Sequence, residues 1–224
     1  MADAKAVRVT RLIAIPTVIT LAVTILRVAG ELKHWPTPWF STQAGGGGAV
    51  VGISWLPIIF GPYFALKLAG AGEGAASTGK AIGFAGGSLL VFAGGAALFG
   101  STLGHPNFLT IIGSVLMLGS AFVPGLGWRA LGNTLVAYAF AARIPVLIVM
   151  YFAMTGNGGA GLGTHYDAVP PALAQLPPLR KFFFLGVVPQ MTLWIGFTVV
   201  VGSIFGTIVT AIARRKKQAA PAAG

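Results

Sequence analysis

The sequence predicts an all-α fold: a polytopic integral membrane protein, a bundle of about six transmembrane helices with both ends on the cytoplasmic side. Three observations lead to this. The chain is 55% hydrophobic and only 8% charged over 224 residues, whereas an ordinary soluble domain is roughly one quarter charged. Its apolar residues fall into runs near the roughly 20 residues that a helix needs to cross hydrocarbon. Its basic residues stand where those runs end, as in Arg214-Arg215-Lys216-Lys217 directly after the last one, the placement that sets membrane topology.

The first apolar run, from about Leu12 to Val28, follows Lys5, Arg8 and Arg11 in the manner of a secretory signal. It ends in Arg27 rather than a small-residue cleavage site and reads as an uncleaved first helix, with Pro16 tolerated near its start. The segment His34-Trp35-Pro36-Thr37-Pro38-Trp39-Phe40 cannot continue that helix, because two prolines lack the required N–H. Trp35 and Trp39, with Trp128, are expected as interfacial anchors. After Gly45 to Gly48, a second span runs from about Ala49 to Ala69, kinked by Pro57 and Pro62.

A third span, about Ala81 to Leu103, is rich in small residues. Gly83 and Gly87, four apart, would form a helix-packing face, so this span is expected at the centre of the bundle. The fourth, about Phe108 to Val123, lies between Pro106 and Pro124 and is short, with a re-entrant course as the alternative to a full crossing. The fifth runs from about Leu131 to Met154. A Gly- and Pro-rich loop, Thr155 to Lys181, leads to a long sixth span, about Phe182 to Ala213, with Gly202 and Gly206 as its packing face. Residues 1–213 thus form one transmembrane domain, and 214–224 a basic cytoplasmic tail expected to be disordered.

With the amino terminus inside, the cytoplasmic side holds ten basic residues, Lys5, Arg8, Arg11, Lys67, Lys80, Arg129 and Arg214 to Lys217. The outer side holds four, Arg27, Lys33, Arg180 and Lys181. That excess places both termini in the cytoplasm, requires an even number of crossings, and fits a bacterial inner membrane. The formal charge of +11 therefore marks topology rather than nucleic-acid binding, which needs a basic face on a soluble fold. Gly74 to Ala81 has the glycine and lysine spacing of a phosphate loop, but Ala81 replaces the magnesium-binding hydroxyl and no buried strand precedes it; no nucleotide is expected. No motif implies a cofactor. The absence of cysteine removes thiolate metal sites and a cysteine nucleophile. Serines such as Ser88 and Ser114 lack both a Gly-x-Ser-x-Gly elbow and a neighbouring base, so nucleophilic catalysis is not expected.

The sharpest candidate is Arg143, near the middle of the fifth span. A cation there costs roughly 2.5–3.5 kcal/mol on insertion scales and calls for a partner or a polar cavity. Pro145 leaves the carbonyl of Ala141 without its usual donor, and Gln190 beside Pro189 repeats the pairing of a polar group with a helix breaker in the last span. Asp3, Glu31, Glu73 and Asp167 all map to span ends or loops, so a pathway past Arg143 suits an anionic or neutral polar solute better than a cation. Arg27, Glu31 and His34 share helical spacing and read as an ordinary ion pair at a helix end. His34, His105, His165 and Asp167, all on the outer side, could converge on a metal, though none has helical ligand spacing. The leading expectation is a small-solute carrier or channel-like protein. The alternatives are an accessory subunit of a larger membrane complex or homo-oligomer, and an outward-facing metal-binding protein or enzyme.

Overall fold

The computed structural model describes residues 7–102 and 105–219, and every regular element in them is helical. The helices are α1 (Val9–Leu32), α2 (Leu56–Gly70), α3 (Thr78–Ser101), α4 (Phe108–Ser120), α5 (Pro124–Gly127), α6 (Arg129–Thr155), α7 (Pro178–Lys181), α8 (Val188–Met191) and α9 (Leu193–Ala219). A π-helical stretch, Phe182–Val187, joins α7 to α8 just ahead of Pro189. Five stretches are long and apolar enough to cross a membrane: Val9–Leu32, Thr78–Ser101, Phe108–Gly127, Arg129–Thr155 and Pro178–Lys216. The fourth expected span is one of them, since α4, the turn at 121–123 and α5 together make 20 residues.

The second expected span is shorter than its apolar run. Only 15 residues are helical, about 22 Å at 1.5 Å per residue, against about 30 Å of hydrocarbon. Residues 49–55 are held instead by the preceding loop. The Val50 and Val51 amides donate to Pro38 and Trp39 at 2.9 and 3.1 Å, and the Val51 carbonyl accepts from Arg27. Conversely α1 continues past Val28, so Arg27 and Glu31 lie within it, 3% and 1% exposed. Glu31 thus lies at the last turn of α1, as a span-end residue, and is buried there.

The centre belongs to α9 rather than α3. Over their most apolar windows, 56% of the last span is buried against 17% of α3. The reason lies in the glycines. A Cβ on Gly61 of α2 would stand 2.6 Å from the Gly202 Cα of α9, and one on Gly206 would stand 2.9 Å from the Gly61 carbonyl oxygen. These residues let α2 and α9 touch backbone to backbone. Gly83 and Gly87, expected to do the same for α3, meet nothing within 4 Å. The close approach of α3 is made by Gly95, whose Cβ would lie 2.8 Å from the Gly113 oxygen of α4. Around the α2–α9 contact Phe60, Phe64, Leu131, Leu135, Tyr138, Ile195 and Val199 form the main core.

The polar contacts gather at two ends. At one, Val7 N donates to Glu73 at 2.6 Å, Trp128 Nε1 donates to the Glu73 carbonyl at 2.8 Å, and Arg214 reaches Thr78 and the Ala75 carbonyl. Trp128, 5% exposed, is buried at this end of the bundle with its indole N–H bonded to that carbonyl. Trp35 and Trp39 are exposed, at 41% and 54%. Helix α9 carries Arg214 and Arg215 onward to Ala219, so the expected tail starts as helix; its residues 220–224 lie outside the described residues.

Candidate functional site

Helix α6 carries Arg143 through an apolar wall one turn from Tyr138 and beside Pro145. The guanidinium is 4% exposed and lies over the Trp194 ring of α9, 4.6 Å from its centroid. A cation over an indole face is attracted by the ring quadrupole, more so when desolvated. Its Nε finds no acceptor among the described residues, and the ion pairs there join Arg27 and His165 to Glu31 rather than any carboxylate to Arg143.

Gln190, four residues before Trp194, is 8% exposed. Its Nε2 donates weakly to Met150 Sδ at 3.7 Å and its Oε1 is unpartnered, as is Thr198 Oγ1 one turn beyond Trp194. Arg143 and Met150 are two turns apart on α6, about 10 Å along the axis. The seam of α6 with α8 and α9, hereafter the α6–α9 seam, therefore offers an unpaired donor at Arg143, over Trp194, and an unpaired acceptor at Gln190, beside Met150. Trp194, Met150 and Thr198 were not singled out from sequence. Trp194 stands on α9, a different helix from Arg143, and no spacing in the sequence couples the two.

The second polar cluster sits at the end of α1. Glu31 accepts from Arg27 Nε within the helix and from the His165 amide at 2.8 Å, and its oxygens lie 2.7 and 2.9 Å from His165 Nδ1. Arg27 also donates to the carbonyls of Val51 and Ser41. One buried pair thus ties both long loops, 33–55 and 156–177, to the end of α1. The pair expected from spacing is present, but it is buried and its third member is His165, not His34. His34 and His105 are exposed.

Asp167 is spent within its own loop, accepting the amides of Leu162, Gly163 and Thr164 at 2.9 Å each and the Thr164 hydroxyl. This fold of the loop needs Gly161, whose φ is +80° and whose Cβ would strike the Asp167 carboxylate. The loop presents Tyr166, 4% exposed, against Val146, Met150, Ala153 and Met154 of α6. The Tyr166 phenol is pushed above the ordinary tyrosine range, first by burial and then by Glu31, while Arg27 and Arg143 act in the opposite direction. No group of three or more His, Asp or Glu suited to a metal forms among the described residues.

At the opposite end a cleft of about 460 Å³ is lined by residues including Glu73, Trp128, Arg129 and Asn133. The phosphate-loop-like stretch borders it, with Ser77 capping α3 through the Lys80 amide at 3.3 Å and Thr78 and the Ala75 carbonyl occupied by Arg214. No protein-family model, curated protein or solved structure matches the chain.

Proposed function

We propose that the chain is a membrane carrier or channel-like protein for a small anionic or polar solute, which binds in the α6–α9 seam. The observation that carries this reading is the Arg143 guanidinium, buried at 4% exposure with an unpartnered Nε. A buried cation without a carboxylate is costly in an apolar bundle, and a solute oxyanion would supply the missing acceptor. Gln190 Oε1 would accept from a donor on the same solute. Six passes, with α2 the short one, and both termini cytoplasmic are part of the proposal. Val7, Glu73 and Arg214 meeting at one end of the bundle support that even count, and the basic residues there support its orientation.

Proteoliposomes loaded with a panel of small carboxylates, amino acids and inorganic anions test the reading. For the transported member, Arg143→Gln is expected to lower uptake at least about 30-fold, because truncating one partner of a buried hydrogen-bonded charge pair costs roughly 2 kcal/mol or more. A folded Arg143→Gln protein with undiminished flux of every panel member that the unaltered chain transports would refute it. The accessory-subunit reading is supported by one observation, the open face of α3, where Gly83, Gly86, Gly87 and Gly94 meet nothing within 4 Å. It requires a stoichiometric partner chain on extraction in mild detergent.

A further inference from the structure

We infer that the His165–Tyr166 segment is a gate over the α6–α9 seam, latched shut by the Glu31 carboxylate of α1. This inference rests on the seam being the solute site, and it assigns that site its regulation.

The gate has a plug, a latch and a stem. Tyr166 is the plug. It is buried in one apolar cluster with Val146, Met150, Ala153 and Met154 of α6, against which Val28 of α1, Ile53 of the first loop, and Phe182 and Leu185 of the π-helical stretch also pack. Met150, which it covers, is the residue that Gln190 contacts from below. The plug therefore caps the Gln190 end of the seam, and Arg143 lies farther in along α6.

The latch is His165, adjacent in sequence, its ring 3.8 Å from that of Tyr166 between centroids and tilted 41° to it. Both its amide and its ring bond Glu31. Glu31 is fixed from behind by Arg27, which is itself fixed by the carbonyls of Ser41 and Val51. The stem is glycine: Gly158 and Gly159 stand at φ of +67° and +88° between the end of α6 and the loop, where a change of backbone direction meets no Cβ.

The asymmetry of the contacts makes the segment separable. Asp167 holds the loop as a unit by internal bonds, so the loop can leave without unravelling, and among the described residues its polar ties to the bundle run through the Glu31 carboxylate. Cooperative units of this kind can open locally before the global fold does. Loop motions of this kind commonly gate buried solute sites.

The absence of native cysteine allows a direct test on the full chain in lipid nanodiscs, where both membrane faces are accessible. Met150→Cys, 7% exposed in the closed form, reports on the seam, and Thr207→Cys, 4% exposed and far from the loop, reports on the bundle. Labelling by a charged methanethiosulfonate reagent is expected to rise about tenfold at position 150 when His165→Ala or Tyr166→Ala is added, with position 207 unchanged, the pattern of local opening. An unchanged rate at 150 in both backgrounds overturns the inference. So does a parallel rise at 150 and 207, because the segment is then part of the cooperative core. Labelling needs no solute: if position 150 opens as expected while Arg143→Gln leaves flux intact, the gate stands and the solute reading falls.

Discussion

Replacing Glu31 by Gln is expected to cost about 3–5 kcal/mol of stability, the range for breaking a buried ion pair from one side. The side chain keeps nearly the same shape, so packing is not the cause. The lost charge leaves the Arg27 guanidinium, 3% exposed, with only the Ser41 and Val51 carbonyls for partners. Carbonyl dipoles solvate a cation but do not neutralise it. The His165 ring loses its charged acceptor in the same step. Thermal unfolding in detergent, followed by helical circular dichroism, should show a drop on the order of 10 °C, by the usual proportion between stability and midpoint for a chain of this size. The matched change Arg27→Gln with Glu31→Gln should recover a large part of it, because a neutral amide pair carries no uncompensated buried charge. A single Glu31→Gln that unfolds at the unaltered temperature would show that water reaches Arg27 and that the cluster is not a buried one.

Much of this fold is legible in the sequence because its signals are local. The apolar runs locate the helices, and the prolines at positions 36, 38, 106, 124, 170 and 177 all fall in or beside connections. Gly202 and Gly206 both lie in close contact, Gly206 against the Gly61 carbonyl and Gly202 against the Leu135 side chain. What the sequence hides is pairing over long separations. Residues 49–55 are apolar enough to continue a helix, and nothing within them reveals that Arg27 takes the Val51 carbonyl. Glu31 and His165 are 134 residues apart, so helical spacing could offer only His34 as the third member. The expectation that Gly83 and Gly87 pack fails for a related reason: a small residue permits close approach, but only a second helix makes it occur. Arg143 and Gln190 are both buried, while Trp194, which lies under the guanidinium, belongs to another helix and carries no local mark.

The glycines of α2 and α9 yield the other large effect. Gly61→Leu is expected to prevent the native bundle from forming, and Gly61→Ala to destabilise it by about 3 kcal/mol, the upper part of the usual range for overpacking. The added Cβ would lie 2.6 Å from the Gly202 Cα. That neighbour is backbone with no rotamer to change, so α2 must withdraw bodily from α9. Withdrawal would also loosen Gly206 from the Gly61 carbonyl and Ala65, and it would open the core around Phe64 and Leu135, both fully buried. Gly83→Ala is the control, because a Cβ there meets nothing and alanine is favoured over glycine in a helix interior by roughly 0.5–1 kcal/mol. Unfolding midpoints of the two alanine variants should therefore move in opposite directions. Equal midpoints would mean that α2 and α9 are not in backbone contact. A fall for Gly83→Ala alone would mean that the open face of α3 is covered in the assembled protein.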